Sequence, residues 1–310
     1  MKRSEFVHLH LHSQYSLLES TVRFEPLMNA LKAQGAPAVA LTDRANLFGA
    51  VPFYQIAESH GIKPILGLEV FVAPESRFDK IHNHGLSDAA YHLVLLAESE
   101  EGYANLMRLS TAGYLQGFFQ VPRVDKEILS RCAKGLIALS GCRNGEIPSF
   151  LLKGEKPKAV RAAAQWAEIF GKDRFFLEVQ DHGLSEERVV REGLVEVSRE
   201  TGLPLVAAND VHYLRKEDAS AHEVLLCLGK GMVLSDPNHP RYESNEYYLK
   251  SPAEMEALFK DIPGAVQRTV EIAERCNLSL EFHKIQLPTF AVPDTAADEA
   301  GISRFCAGKV

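Results

Sequence analysis

The chain has 310 residues, of which 46% are hydrophobic and 24% charged, a composition typical of a globular protein. Its net charge of −7 argues against an extended basic surface for nucleic acid, although a small basic patch beside an acidic site stays compatible with it. The five cysteines are scattered and odd in number, and neither a signal peptide nor a run of about 20 apolar residues is present, so we expect a cytoplasmic protein that makes no use of a membrane.

Short β-type runs alternate with helical patterns through most of the chain. Seven runs predict strands, at residues 6–12, 38–42, 65–72, 91–96, 135–140, 175–179 and 204–208. The patterns between them predict helices at residues 26–33, 51–59, 102–115, 159–170 and 185–201. Alternating strands and helices indicate an α/β fold with a parallel sheet, and seven such units favour a barrel over an open sheet.

The pattern changes after residue 214. Helical segments are predicted at residues 218–228, 252–259 and 264–275, followed by an extended stretch at 278–287 and an alanine-rich end. We therefore predict one domain at residues 1–280, consisting of the barrel and a C-terminal helical extension. Residues 281–310 are predicted to form a linker or the start of a further region.

Three histidines alternate with apolar residues in the first predicted strand. Successive side chains of a strand point to opposite faces, so His8, His10 and His12 share one face. Imidazole is a good ligand for zinc and its neighbours, so this face suits a metal cluster. An edge strand with one wet face is the alternative. The carboxyl end of a strand, where α/β barrels place their chemistry, favours the metal cluster.

Potential ligands recur where the other apolar strands meet their loops. They are Asp43 and Arg44 after the second strand, Glu69 in the third, Cys142 after the fifth, and Asp210 and His212 after the last. His92 lies near the start of the fourth strand, which fits this pattern less well. A single residue of this kind would carry little information, but the series predicts a shared site.

Several long motifs carry a resemblance to a known family. They are FVHLHLHS at 6–13, YSLLE at 15–19, LTDRANLFG at 41–49, GIKPILGLE at 61–69, ANDVHY at 208–213 and DIPGA at 261–265. The chain resembles the polymerase and histidinol phosphatase (PHP) family from about residue 5 to 290. More narrowly, it is similar to the N-terminal PHP domains of bacterial replicative DNA polymerase III alpha subunits. The resemblance implies a distorted (β/α)7 barrel with two or three divalent metal ions, which would be zinc or manganese, or else magnesium.

The resemblance also implies a ligand set. The first metal would take His10, His12, Glu69 and Asp210, and the second would take Glu69 as a bridge with His92 and Cys142. The third would take Glu19, His212 and a histidine after Thr-Asp, a position that Arg44 holds here. Asp43 would orient a ligand, and His8 would do the same or have a structural role. Asp210, Glu69 and Arg44 are the residues we expect in catalysis.

Arg44 departs from the family pattern at the third metal site. We predict that its guanidinium pairs with Glu19, with Asp43 as a second partner, because an unpaired buried carboxylate is costly. Outside this site, two histidines of a polar loop and five others are predicted to be solvent-exposed or capping residues: His82, His84, His60, His182, His222, His239 and His283.

In the family, such a cluster hydrolyses phosphoesters, and in polymerases this implies 3′ to 5′ removal of nucleotides. The implied partners are a DNA 3′ end or another phosphoester, the rest of the polymerase and a separate exonuclease subunit. Residues 281–310 would then approach the polymerase palm, whose active site is absent from this sequence. Two alternatives stay open: a non-catalytic docking module, which Arg44 favours, and a stand-alone phosphatase.

Overall fold

A computed structural model of the chain describes residues 5–81, 85–86 and 89–282. The packing of the chain separates a unit at residues 1–279 from one at residues 280–310, and the elements below belong to the first. His82, His84, His283 and nearly all of the predicted linker at 281–310 lie outside the described residues. The domain boundary at residue 280 therefore stays a prediction.

The strands fall close to their predicted positions. They are β1 (Ala38–Leu41), β2 (Lys63–Val72), β3 (Tyr91–Ala97), β4 (Arg123–Val124), β5 (Leu136–Leu139), β6 (Phe175–Val179) and β7 (Leu205–Ala207). The helices are α1 (Phe24–Gln34), α2 (Ala50–Ser59), α3 (Glu100–Leu115), α4 (Lys126–Cys132), α5 (Glu146–Leu152), α6 (Lys156–Phe170), α7 (Ser185–Thr201), α8 (Ala219–Lys230), α9 (Pro252–Leu258) and α10 (Gln267–Arg275). The short elements β4, α4 and α5 lacked a clear periodic pattern, so the sequence did not predict them.

The strands form one sheet in the order β1-β2-β3-β5-β6-β7, with β4 paired to β2. Most pairs are parallel, but β3 runs antiparallel to both β2 and β5. The prediction of a wholly parallel sheet is therefore wrong for β3. The described residues of the connection between β2 and β3 form no helix. Without a helical crossover the chain returns beside β2 in the opposite direction.

The predicted first strand at residues 6–12 is not a regular strand, although Leu11 within it forms an isolated parallel bridge with Val211. On one side, the amide of Ala40 in β1 donates to the carbonyl of His8 at 2.8 Å. On the other side, the amide of His12 donates to the carbonyl of Val211, just after β7, at 2.9 Å. This N-terminal segment thus lies between the first and last strands of a curled half-barrel. The predicted α/β fold of the distorted barrel type is confirmed.

Helices pack around this sheet through apolar faces. Val190, Leu194 and Val197 of α7 are buried, as their helical spacing predicts. Ile272 of α10 packs into the same core cluster as Val7 and Leu9 of the N-terminal segment. The final helix therefore contributes to the core that supports the histidine-bearing segment. None of the helices in the described ranges has both the length and the apolar character needed to cross a bilayer.

Candidate metal centre

Two groups of buried metal-ligand side chains meet at one edge of the sheet. The first group consists of His10, His12 and Asp210, and the second of Glu69, His92 and Cys142. Within each group, one donor atom per residue lies within 4.8 Å of the others. The sequence predicted all six, and the structure brings them together.

The geometry of the first group suits a tetrahedral ion. Nε2 of His12 lies 3.2 Å from Nε2 of His10 and 3.1 Å from Oδ1 of Asp210. Nε2 of His10 lies 3.4 Å from the same Asp210 oxygen. Tetrahedral zinc with bonds of about 2.0–2.1 Å places neighbouring nitrogen or oxygen donors about 3.3 Å apart. These three side chains therefore fit a divalent metal with little rearrangement.

The second group adds a thiol and shares a carboxylate with the first. Nδ1 of His92 lies 3.0 Å from Oε1 of Glu69 and 3.8 Å from Sγ of Cys142. The carboxylate oxygens of Glu69 also lie 3.6 Å from Nε2 of His10 and 3.7 Å from Nε2 of His12. Glu69 thus stands between the two groups, where a bridging carboxylate would stand.

The antiparallel direction of β3 explains the position of His92. In a parallel sheet the start of a strand would lie at the edge opposite to the ligands. Because β3 is reversed, its first residues lie at the edge where the parallel strands end, and His92 pairs with Phe71 near the end of β2. His92 fits the predicted pattern less well only if β3 is assumed to run parallel to its neighbours, whereas it runs antiparallel to both.

A glycine turn brings Cys142 to His92. Gly141 has a φ of 80°, a conformation that residues with a Cβ rarely adopt. A Cβ at this position would lie only 2.6 Å from the carbonyl oxygen of His92. The close approach of the loop after β5 to β3 therefore requires glycine next to the thiol.

Oxygen acceptors orient the two histidines of the first group. Nδ1 of His10 lies 2.7 Å from Oε1 of Glu178, an oxygen that also accepts from Nε2 of Gln180 at 2.6 Å. The other oxygen of Glu178 is buried and has no hydrogen-bond partner among the residues that the structure describes. A carboxylate on the far side of a histidine directs the opposite nitrogen toward a metal and raises its basicity. The sequence analysis missed Glu178, whose only signal is a charged residue within the apolar strand β6.

Asp43 acts on His12 through a serine. Nδ1 of His12 lies 3.1 Å from Oγ of Ser16, and that hydroxyl donates to Oδ1 of Asp43 at 2.7 Å. Asp43 also accepts from the amide and the hydroxyl of Ser13, at 2.7 and 2.8 Å. Because Ser16 donates to Asp43, its oxygen is free to accept the Nδ1 proton of His12, which leaves Nε2 as the lone-pair donor.

Arg44 holds the position after Thr-Asp where the resemblance implies a histidine ligand for a third metal. Its Nη1 donates to the carboxylate of Glu19, as predicted, and its Nε donates to Oε2 of Glu69 at 2.5 Å. The expected second partner, Asp43, is instead held by serine side chains. Arg44 therefore links the would-be third site to the carboxylate between the two groups.

His212 lies against the first group. Its Nε2 is 3.1 Å from Oδ1 of Asp210 and 3.3 Å from the hydroxyl of Tyr242, while Nδ1 faces the main-chain carbonyl of Glu19 at 2.7 Å. Its ring stacks on His12 with centroids 4.5 Å apart. Since the carboxylate of Glu19 is engaged by Arg44, the proposed third ligand set is not assembled as a separate cluster among the described residues.

Charge within the site favours the ligand forms of three side chains. The exception is His10: burial opposes its protonation, but Glu178 and Asp210 hold its pKa well above the ordinary value, so it must lose a proton to bind a metal. Burial would raise the pKa of Glu69, but Arg44, His92 and His10 together outweigh burial and hold that pKa well below its usual range. Burial likewise opposes ionisation of Asp210, but His10, His212 and His12 together lower its pKa well below the ordinary value. Burial lowers the pKa of His12 to about 3, so this imidazole is neutral. Two ionised carboxylates and a neutral imidazole are the states that bind a metal.

Three further histidines are buried. His182 and His222, which we expected in solvent or at helix caps, are 1% and 2% exposed. The ring of His182 lies between Glu187 and the carbonyl of Asn209. His8 does not join either ligand group, and its Nε2 contacts the carbonyl of Lys250 at 2.9 Å.

A cleft of about 210 Å³ opens onto the ligand groups. Among its lining residues are His92, Cys142 and Asp210 from the ligand groups and three arginines: Arg44, Arg143 and Arg241. Guanidinium groups match the geometry of phosphate oxygens, so the walls of the cleft suit an anionic phosphoester.

Comparison with known proteins gives consistent matches. The alpha subunit of DNA polymerase III from Treponema pallidum is 45% identical over 293 residues, covering 94% of this chain and 25% of that protein. The same subunit from Thermus aquaticus is 45% identical over 298 residues, covering 94% and 24%. The chain thus spans about a quarter of the length of these relatives.

A solved structure from Bifidobacterium adolescentis, described as a metal-dependent phosphoesterase, aligns with a TM-score of 0.42 and 13% identity, covering 66% of this chain and 87% of that chain. The family model described as "PHP domain" matches residues 8–182, which is more than half of the chain. The matched range contains the N-terminal histidines and the whole second ligand group. The chain therefore belongs to the PHP domain family.

Proposed function

We propose that the chain binds two divalent metal ions and hydrolyses phosphoesters. The observation that carries the proposal is the position of the Glu69 carboxylate between two groups of buried ligands. The residues that would hold the first metal are His10, His12, Glu69 and Asp210, and those that would hold the second are Glu69, His92 and Cys142. The donor spacing and the ionised carboxylates described above support this assignment.

The donor types favour zinc. Imidazole, carboxylate and thiolate together suit zinc, and manganese tolerates the nitrogen and oxygen donors. Magnesium prefers an all-oxygen octahedral shell, which the thiol of Cys142 and the histidines do not provide. Arg44 supports two ions rather than three, because a fixed cation between Glu19 and Glu69 repels a further divalent ion.

When bound, the metals would polarise a phosphoryl oxygen and make a bound water more acidic. The chain's own residues would do the rest. Glu178 and Ser16 hold the imidazoles of His10 and His12 with Nε2 toward the centre. Arg44, at the wall of the cleft, would meet the negative charge that develops on the phosphoryl oxygens.

We propose the 3′ end of DNA as the substrate, within a replicative polymerase. This part of the proposal rests on the relatives, which are DNA polymerase III alpha subunits and about four times as long as this chain. The partners would then be the remainder of such a polymerase and a separate exonuclease subunit. The three arginines in the cleft support a phosphodiester substrate.

A non-catalytic docking module is the second candidate, because Arg44 neutralises two carboxylates that would otherwise face a metal. The test is to purify the 310-residue chain, load it with zinc or manganese, and measure metal content by elemental analysis. Hydrolysis is then followed on bis(4-nitrophenyl) phosphate and on a labelled single-stranded oligonucleotide. Two metals and removal of 3′ nucleotides would support the enzyme. Bound metal with neither substrate cleaved would favour the docking module.

A further inference from the structure

A buried lysine lies behind the candidate metal centre. Lys250 is 2% exposed, and its Nζ donates to Oδ1 of Asn209 at 2.9 Å and to the main-chain carbonyl of Glu246. The carboxylate of Glu246 lies 3.6 Å away, which offsets part of the charge. Taking an ammonium group out of water is unfavourable unless its donors are satisfied. The acceptors of Lys250 therefore keep its buried ammonium group stable. One of them, Asn209, directly precedes the candidate metal ligand Asp210.

Asn209 is held at three points. Its Oδ1 accepts from Lys250, its Nδ2 donates to the carbonyl of Tyr248 at 2.6 Å, and its own carbonyl oxygen lies 2.7 Å from Nε2 of His182. Both the side chain and the main chain of this buried residue are thus fixed. The next residue in the chain is the ligand Asp210.

Asp210 has an unusual backbone. Its φ is 44°, in the left-handed region that residues other than glycine rarely adopt. Such strain persists only where the surrounding structure holds it. With this backbone, Oδ1 of Asp210 reaches 3.1 Å from Nε2 of both His12 and His212. Contacts that fix Asn209 therefore also fix where the Asp210 carboxylate points.

His8 extends the same chain of contacts. Its Nε2 lies 2.9 Å from the carbonyl oxygen of Lys250, and the imidazole is 3% exposed. His8 is the histidine of the N-terminal trio that belongs to neither ligand group, and this contact fixes its ring against Lys250. A continuous path runs from His8 through Lys250 and Asn209 to Asp210.

We propose that Lys250, anchored by His8, is a positioning residue that sets the direction of the Asp210 carboxylate through Asn209. This inference rests on the proposed function, since it takes Asp210 as a metal ligand. Lys250 belongs to neither ligand group, so it would act only through its neighbours. Its effect should therefore fall on the His10, His12 and Asp210 group and spare the group that contains Cys142.

The experiment is a cobalt titration of the whole chain, because cobalt bound to a thiolate absorbs in the near ultraviolet and so reports the Cys142 group alone. Cobalt content after a chelator competition reports both groups. The variant is Lys250→Met, which keeps the length of the side chain but removes its donors. The matched control is Lys63→Met. Lys63 is the first residue of β2, at the end away from the ligand groups, and it donates to Ala273 and Asn277.

In Lys250→Met we expect the cobalt affinity of the first group to fall about tenfold, as it does when other groups that orient ligands are removed. The cobalt concentration at the midpoint of the thiolate band should not change. Lys63→Met should change neither midpoint. Wild-type midpoints for both groups in Lys250→Met would overturn the inference. So would an equal fall in both groups, which would indicate a general loss of structure.

A second variant guards against failure of Lys250→Met to fold. His8→Leu removes the contact to the Lys250 carbonyl and keeps an apolar side chain beside Phe6, and we expect a smaller loss than in Lys250→Met, again confined to the first group. An unchanged first-group midpoint in this variant would overturn the inference. A wild-type chain that binds no cobalt in either group would instead overturn the proposed function itself, together with the inference that rests on it.

Discussion

The Nε2 atoms of His10 and His12 face each other at 3.2 Å, and a separate oxygen acceptor on the far side of each ring fixes that orientation. Two imidazole nitrogens at this distance share either one proton or a cation. A divalent ion suits the position better, because Asp210 supplies an ionised carboxylate to the same point.

Metal content is the first prediction. We expect the purified chain to bind two equivalents of zinc. His10→Ala should bind one, because the second group, Glu69, His92 and Cys142, does not contain His10 and keeps all its ligands. Elemental analysis after zinc loading and gel filtration measures this. Trace metal in the wild-type chain after loading with zinc or manganese would contradict the assignment.

Asp210→Asn should abolish hydrolysis while leaving the fold intact. Asparagine keeps an oxygen lone pair but loses the negative charge that a divalent ion requires, so we expect the rate on bis(4-nitrophenyl) phosphate to fall by more than about 100-fold. Circular dichroism checks the fold. Asp173→Asn, at an exposed position two residues before β6, serves as the matched control and should keep the wild-type rate. A wild-type rate in Asp210→Asn would rule out the metal mechanism.

Arg44→His restores the residue found in the family pattern, and we expect a third equivalent of metal. The change removes the guanidinium that pairs with Glu19 and Glu69 and supplies an imidazole beside Glu19 and His212. Arg44→Ala is the control, since it removes the charge without adding a ligand. If Arg44→His binds no more metal than the wild type, a different group, such as the Tyr242 hydroxyl on His212, closes the third site.

Glu178→Gln tests the role of the residue that the sequence analysis missed. The amide would still contact His10 but would no longer draw a proton to Nδ1 as a carboxylate does. We expect zinc affinity to fall about 10- to 100-fold in competition with a chromophoric chelator. Glu168→Gln, on the solvent side of α6, should leave affinity unchanged. Equal zinc affinities for the two variants would show that Glu178 does not orient His10.

Glu187 provides a pH-dependent stability prediction. Burial would raise its pKa, but the contacts from His182 outweigh burial and lower the pKa below the ordinary value of 4.5. A lowered folded-state pKa contributes stability that is present above pH 4.5 and is lost as the pH falls through the folded value. Glu187→Gln should therefore lower the free energy of unfolding by about 2 kcal/mol at pH 7 and by less at pH 4.

Urea unfolding at the two pH values measures this difference. Glu192→Gln, on the exposed face of the same helix, is the control and should have a small effect that is equal at both pH values. If the Glu187→Gln deficit were as large at pH 4 as at pH 7, the ionised carboxylate would not be its source.

Much of the candidate site could be predicted from the sequence, because the signals are local. The alternation of histidine with apolar residues at 6–12 places His10 and His12 on one face whether or not the segment becomes a regular strand. Apolar runs that end in Asp210 or Cys142 locate ligands at strand ends for the same reason. Periodicity depends on neighbours a few residues away, and so six of the seven predicted strands and most helices lie where the sequence puts them.

Only the tertiary structure decided the rest. The reversal of β3, which carries His92 to the site, depends on how β2, β3 and β5 pair, and no local pattern encodes that choice. Glu178 meets His10 across 168 residues, and Lys250 meets His8 across 242. Such contacts are set by the order of strands in the sheet and the curl of the half-barrel. A charged residue in an apolar strand therefore acquires its role only when the fold places a partner opposite it.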